Sequence, residues 1–420
     1  MKAPVIVCLT FCFSSGLHAG NWPAWRGPDG NGVSTEKNLP LRWSPTNQIR
    51  WRTPLPERGN STPIVWGSRV FVTQALGQNR TVMCLDRADG KVLWQSGTNH
   101  AEKELTHGTN PLGSSSPVTD GECVISAFGS AGILCHDFQG KLLWRRDLGK
   151  QVHIWGYGAA PVLHGDLCIL NFGPGERSFL IALNKKTGAT VWQVDEPGGH
   201  SGQTKPGDSG DQWIGSWSTP LLIQTGGHDE LIQSWPRRVA ALDPKTGKEL
   251  WTCRGLNPLV YTSPLFAEGV IVAMGGYNGD ALAVKSGGSG DVTGSHRLWL
   301  KPKTKQRIGS GVISEGHIYI LNDPGVAECI ELTTGKVLWE ERLAGPGPKN
   351  SSWSSMVLAE GKLYVINQGG DTFVVKASPK FELLGVNPLG ETSNSSLAVS
   401  DGELFIRTHK SLWCVGAPPK

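Results

Sequence analysis

The chain has 420 residues with a formal net charge of +4, and only 18% of its residues are charged. A balance that even excludes the basic stripe of a nucleic-acid binder and the polybasic patch that would hold a membrane surface. On length alone about three domains of roughly 150 residues would be expected, but an internal repeat overrides that expectation.

The chain opens on MKAPVIVCLTFCFSSGLHAG, residues 1–20, which carries one lysine, a short apolar run and a Leu-x-Ala ending at Ala19. That is the pattern of a cleavable secretory signal, too short to span and remain in a membrane. Cys8 follows Val7 and Cys12 follows Phe11, so the small residue that should precede a lipidated cysteine is missing and no lipid anchor is expected. An N-terminal extension follows at 21–46. A repeat region then fills 47–416, and 417–420 form a short tail.

The repeat is carried by one phrase. ADGKVLW ends at Trp94, FQGKLLW at Trp144, KTGATVW at Trp192, KTGKELW at Trp251 and TTGKVLW at Trp339, always with glycine four residues before tryptophan. SHRLW at Trp299 and PKFELL at Leu384 are weaker copies. Upstream of each phrase lie short β-branched and aromatic runs split by turn residues, as in STPIV, RVFVTQ, TVMCLD and KVLWQ between Asn60 and Gln95. The unit is therefore read as a four-stranded antiparallel sheet, with glycines such as Gly67 and Gly90 at its first and last turns. Units of this kind repeated at 40 to 59 residues close radially into a β-propeller.

The first strands read STPIV, SSPVT, AAPVL, STPLL and TSPLF, placing Pro63, Pro117, Pro161, Pro220 and Pro264 in one column. Proline cannot donate to a sheet ladder, so this column identifies strand A, the inner edge beside the channel. Seven complete units run at 60–95, 113–146, 156–194, 215–253, 260–300, 308–341 and 352–386. SSLAVS, ELFIRT and SLWCVG then supply only three strands. The missing one is QIRWRTPL, Gln48 to Leu55, so the prediction is an all-β, eight-bladed propeller whose last blade is closed by the N-terminal strand. Trp51, Trp94, Trp144, Trp192, Trp251, Trp299 and Trp339 are expected to be structural wedges between blades.

LDPKTGKELW, LNKKTGATVW and LTTGKVLWE resemble the PQQ-like propeller repeat, over nearly the whole chain after the signal. That resemblance covers quinoprotein alcohol dehydrogenases, the β-barrel assembly lipoprotein of Gram-negative bacteria and exported bacterial proteins, and NWPAWRGPDGNGVS at Asn21 to Ser34 looks like the opening of the last group. It implies the fold and an envelope setting, while function is decided by sites grafted on the fold. The expected location is the periplasm or the exterior.

After cleavage seven cysteines remain, an odd number. Cys84, Cys135, Cys329 and Cys414 share a strand-C column with Ala182, Ala241, Ala283 and Val374, and read as small buried residues. Cys123 and Cys168 stay open. No zinc spacing is present.

The long connections all fall on one face of the propeller, where loops on a rigid scaffold carry binding. They bring His107, Asn110, His153, Trp155, Tyr157, Asp211, Trp213, Trp217, Tyr261, Arg307 and Trp353 towards the channel mouth. Such a rim suits a planar or sugar-like ligand or a peptide, or else simply plugs the channel. His107, His153 and His200 are scattered loop histidines and no metal site is expected. Asp280, Asp323 and Asp371 sit beside glycine or asparagine in B–C loops, as turn residues.

A quinoprotein needs PQQ with calcium, held by carboxylates and carbonyls in the funnel, and a carboxylate base beside the quinone. The A strands contain no Asp or Glu before the A–B turn, the adjacent Cys-Cys pair of the dehydrogenases is absent, and the chain is shorter than they are. Asp211 and Asp280 are the two loop carboxylates that could supply a base. No G-x-S-x-G or HExxH motif occurs. The expectation is a monomeric, non-catalytic binding or scaffold protein, with no cofactor and no catalytic residue assigned. Its expected partner is an envelope or extracellular protein, or a glycan. A quinoprotein oxidoreductase and a carbohydrate-binding or carbohydrate-active propeller remain the alternatives.

Overall fold

The computed structural model describes residues 20–196, 214–305 and 307–417. Its regular structure is almost entirely strand; the only helical turn among the described residues is the three-residue 3-10 turn Gly129–Ala131. Eight four-stranded antiparallel blades surround a central channel. In blade one the strands are Ile64–Trp66, Arg69–Leu76, Asn79–Asp86 and Val92–Asn99, called A to D from the channel outwards. The last blade takes its A, B and C strands from Leu397–Ser400, Glu403–Arg407 and Ser411–Val415, and its D strand from Ile49–Pro54. Trp51 lies opposite Cys414 in that pairing, so the expected closure of the ring is present. Buried and half-buried ion pairs hold the closing strand: Arg50 meets Glu403, and Arg52 meets Glu391.

The glycine–tryptophan phrase joins neighbouring blades. The indole N–H of Trp94 donates to the Phe138 carbonyl in the next blade's C–D turn at 2.9 Å, and Trp144 and Trp192 repeat this with Lys185 and Pro244 at 2.9 and 3.0 Å. The ring then lies on that turn's glycine. A Cβ on Gly140 would come within 2.7 Å of Trp94, and one on Gly247 within 2.7 Å of Trp192; both glycines have left-handed φ, 87° and 73°. Each glycine therefore meets two demands, a turn that L residues resist and a surface an indole can cover. Tryptophan and the glycine before it thus belong to different contacts, one facing forward to the next blade and one back.

The cysteine column has the same origin. Cys84, Cys135, Cys329 and Cys414 lie directly opposite Trp94, Trp144, Trp339 and Trp51 on strand D, as Ala182, Ala241 and Ala283 lie opposite Trp192, Trp251 and Trp299. A small side chain there leaves room for the indole. The seven cysteines among the described residues are all free and buried, Cys123 and Cys168 included, and desolvation pushes the Cys84 thiol up to about 12.

One wedge departs from the series. Trp251 donates to the Glu230 carboxylate at 3.0 Å instead of to a turn carbonyl. Blade five has an insertion before its D strand, and Gly290–Asp291 from it pairs in parallel with Trp251–Thr252. The insertion that shifts SHRLW from its glycine is therefore a cap on blade four, leaving Trp251 fully buried.

The N-terminal extension is part of the propeller rather than a leader to it. Trp22 exchanges two backbone hydrogen bonds with Val65 of blade one at 2.9 and 2.8 Å, and the Pro23 carbonyl accepts from Thr119 N–H of blade two at 2.9 Å. The buried Arg26 guanidinium donates to the carbonyls of Asn31 and of Gly311 in blade six, and Val33–Ser34 pairs in parallel with Leu358–Ala359 of blade seven. Residues 22–34 thus form a strap across the channel on the short-turn face.

Two outcomes follow for stability. Gly247→Ala is expected to destabilise by about 2–3 kcal/mol in urea unfolding, from overpacking against Trp192 plus left-handed strain. Gly269→Ala should cost only about 1 kcal/mol, because φ is 72° but nothing lies within 4 Å of the new Cβ. Burial lowers the imidazoles of His136 and His409 to about 4, with cations adding to the effect at His409. Their neutral forms therefore stabilise the fold fully above pH ~6.5, and that stability is lost as pH falls from there towards ~4, at up to about 1.4 kcal/mol per unit and per residue. The urea midpoint of His136→Gln should accordingly fall less over that interval than that of the unsubstituted protein.

Candidate functional site

The residue before each A strand decides how the mouth is held open. Thr62 N–H donates to the Ser116 hydroxyl at 2.8 Å, Ala160 to Thr219 at 2.9 Å, Thr219 to Ser263 at 2.8 Å and Ser263 to Ser310 at 3.0 Å. Ser310 then donates to Ser355, and Ser355 to Ser396, both at 2.9 Å. This chain of inter-blade bonds runs round much of the channel, interrupted where Ala160 offers no hydroxyl and again at Thr62, whose buried hydroxyl takes no partner. The Ser/Thr-Pro pairs of the A-strand column therefore carry two functions, a hydroxyl to the neighbouring blade and an inner edge.

Above this ring the long-loop face encloses a cavity of about 210 Å3. One wall is aromatic. Trp217 stacks on Tyr261 at 4.8 Å and 11° between planes, while Trp155 lies 5.9 Å from Trp217 and 6.1 Å from Tyr261. Loop contacts fix these rings: Trp217 Nε1 donates to the Gly156 carbonyl at 2.9 Å, and the Asn110 amide donates to the carbonyls of Trp155 and Tyr157 at 2.6 and 3.0 Å. Trp353 and His107 line the mouth, as do Asn60 and Asn394. His107 Nδ1 lies 2.8 Å from the Thr109 hydroxyl. Burial, and then the neighbouring Tyr277, raise the Tyr261 phenol above its ordinary value.

Of the expected rim residues, His107, Asn110, Trp155, Trp217, Tyr261 and Trp353 do converge on this cavity. Asp211 and Trp213 fall outside the described residues, as does His200. His153 is 1% exposed and packs edge-on against Trp217 at 4.9 Å, so it backs the aromatic wall. Tyr157 is also behind the wall, its hydroxyl donating to the Leu112 carbonyl at 2.6 Å. Arg307 is buried against Glu328 at 2.6 Å and lines a separate groove with Lys305 and Glu340; its charge is satisfied in the wall rather than offered at the mouth. Asp280 accepts from the Lys303 amide at 3.1 Å and Asp371 from that of Gly347 at 3.0 Å, so each carboxylate ties down a neighbouring loop instead of acting only within its own turn, and Asp371 opens a strand.

The sequence did not single out Asn60, Asn394, Trp25 or Tyr277 as mouth residues. Trp25, on the strap, closes the floor of the cavity from the opposite face. Tyr277 extends the aromatic wall 5.3 Å from Tyr261 and is 51% exposed. It is held there by three successive left-handed residues, Gly276, Tyr277 and Asn278, at φ 78°, 48° and 60°. The GGYNGD loop was a visible signal, since a bulky residue at such a φ is uncommon and strain of this kind gathers at functional sites.

The described lining residues do not fit a calcium-bound PQQ. That quinone is polyanionic and its cation needs carboxylates, yet the described lining of the mouth contains no Asp, Glu, Lys or Arg. Among the described residues no group of three or more His, Cys, Asp or Glu could hold a metal ion. Because Tyr277 is half exposed and strained, Tyr277→Gly should leave the melting temperature level or raise it, with about 1 kcal/mol of left-handed strain relieved. Acrylamide quenching of the mouth tryptophans should increase in the same variant.

No curated protein sequence matches the chain. A crystal structure of BamB from Moraxella catarrhalis superposes with a TM-score of 0.62 at 15% identity, covering 87% of this chain and 96% of that one. A europium-containing methanol dehydrogenase gives 0.68 at 13% identity, over 92% and 89%, and the quinohemoprotein alcohol dehydrogenase of Comamonas testosteroni gives 0.68 at 12%, over 96% and 82%. At these identities the likeness is one of fold. No helix among the described residues is long and apolar enough to cross a membrane. A family model described as outer membrane protein assembly factor BamB matches residues 32–103, 78–209 and 181–417, and with the eight-bladed architecture this makes the chain a member of that PQQ-like β-propeller family.

Proposed function

We propose that this is an exported binding protein without chemistry of its own, which captures a neutral ligand with a flat apolar face and a hydroxyl-rich edge at the long-loop mouth. A sugar ring of a glycan has that chemistry. The observation that carries the reading is the lining itself: an aromatic wall, Trp217 stacked on Tyr261 with Trp155 and Tyr277 tilted against them, stands with amides and hydroxyls, and no side chain among the described lining residues is Asp, Glu, Lys or Arg. Aromatic faces take up the apolar side of such a ring, and Asn60, Asn394 and the mouth hydroxyls offer donors and acceptors to its edge. General acid–base or nucleophilic catalysis would need a titrating pair at the ligand, and among the described lining residues His107 has no carboxylate or second imidazole beside it.

Tryptophan fluorescence tests this with two ligand sets, neutral oligosaccharides and PQQ with or without Ca2+. Saturable quenching by an oligosaccharide is expected, weakened at least about tenfold in Trp217→Ala, the scale of losing one stacked aromatic anchor. Ca2+-dependent saturation by PQQ would replace this reading with an oxidoreductase one. No response to either set would move the function to the scaffold surface.

A further inference from the structure

The strap that crosses the short-turn face shows how the inner edges of the A strands bind a peptide. It meets the second residue of the A strand in three blades, and each time a strap carbonyl accepts the inward N–H. Trp22 takes Val65, Pro23 takes Thr119 and Gly32 takes Leu358, at 2.8, 2.9 and 2.9 Å. These residues face Val70, Val124 and Leu363 on strand B. Because their N–H groups go to the strap, these are the non-hydrogen-bonded pairs of each ladder, in which both backbone groups point away from strand B.

Leu163, Leu222 and Phe266 hold the same position in blades three, four and five, opposite Cys168, Leu231 and Ile271. Their N–H and C=O groups therefore point inward too, but the strap passes them by on its way to blades six and seven. What lies there is an open crevice of about 650 Å3, bounded by the strap on one side and by these three residues on the other. It is distinct from the long-loop mouth, and Trp25 stands between the two.

We propose that this crevice is a second binding site, which takes an extended peptide segment carrying a basic side chain. Main-chain addition to a free strand edge supplies affinity in such a mode, and pockets for alternate side chains supply selectivity. The strap already binds by the first of these means on the neighbouring blades, so the site continues an interface that the chain makes with itself. Trp66, Phe266 and Trp25 give it apolar walls. Its charge favours a cation: Asp29 and Asp229 line it, and the carboxylate of Asp229 is 3.7 Å from His164. The strap's own cation, Arg26, is buried, with its Nη2 on the carbonyls of Asn31 and Gly311 and its Nε and Nη1 without a partner. Lys185 is committed to Asp120.

The test uses the purified protein and three probes by calorimetry: an acetylated, amidated Val-Lys-Val-Lys-Val-Lys hexapeptide, its Val-Glu counterpart, and the lysine peptide N-methylated at alternate amides. The lysine peptide should bind saturably, and either change to it should weaken binding about tenfold, the scale of one or two backbone hydrogen bonds or a charge contact. Leu222→Pro should do the same. It removes an inward N–H that takes no part in the ladder, at an edge where proline is tolerated. Should that variant melt early, Asp229→Asn serves instead, with an expected loss confined to the lysine peptide. Trp217→Ala, which disables the mouth, should leave peptide binding unchanged, so the two sites are read separately. Absence of saturable binding, equal binding of all three peptides, or binding insensitive to both crevice variants would each overturn the proposal.

Discussion

Every feature of this propeller depends on one contact, the tryptophan of a D strand laid over the glycine turn of the next blade. It sets the angle between blades, because the ring fills a wedge of fixed thickness and its N–H is fixed to a carbonyl beyond. Trp94 on Gly140 and Trp192 on Gly247 are the plain cases. Small residues follow on strand C, as Cys84 and Ala182 do opposite those indoles. A closed ring needs that angle to be nearly the same at every junction, yet three junctions depart from the plain case: an inserted strand from blade five pairs beside Trp251, whose indole turns to Glu230 of its own blade, Trp339 bonds the Ser378 carbonyl in a turn without glycine, and blade seven carries Leu384 in place of a tryptophan.

Closure then makes two unlike faces from one repeat. On the short-turn face the connections are tight hairpins except in blade five, where the insertion around Gly290–Asp291 places one long connection on the face expected to have none, and the strap uses the inner strand edges that closure leaves unpaired. On the long-loop face the connections are free to vary, and the A-strand hydroxyls from Ser116 to Ser396 tie the bases of most neighbouring blades together. Rigid bases under variable loops are the arrangement in which aromatic side chains can be held at fixed separations. Trp155, Trp217 and Tyr261 use it. Tyr277 is the one place where backbone strain adds to the site.

The likeness to quinoprotein dehydrogenases and to BamB concerns that scaffold. A propeller funnel supports oxidation only if carboxylates and a cation are placed in it, and the described funnel here carries aromatic rings, amides and hydroxyls. Relatives that share one architecture can therefore differ completely in what the mouth holds.

Period, strand order and the split last blade were legible in the sequence, because they follow from local patterns. Alternation gives strands, glycine gives turns, and the proline column marks the edge. The cysteine column was legible for the same reason, since register repeats as faithfully as the tryptophan it faces. The mouth was legible only in part. His107, Asn110, Trp155, Trp217, Tyr261 and Trp353 could be assigned to it because loop position alone brings them near the channel. Whether a loop side chain then faces the opening or the wall depends on what it finds within hydrogen-bonding reach. Tyr157 finds the Leu112 carbonyl and Arg307 finds Glu328, so both turn away. Trp25 was beyond any local reading, because a strap bonded to blades one, two, six and seven is defined by contacts between residues hundreds of positions apart, such as Gly32 with Leu358. The sequence by itself determined the blade and the ring, and only the tertiary structure decided which side chains the ring would leave uncovered.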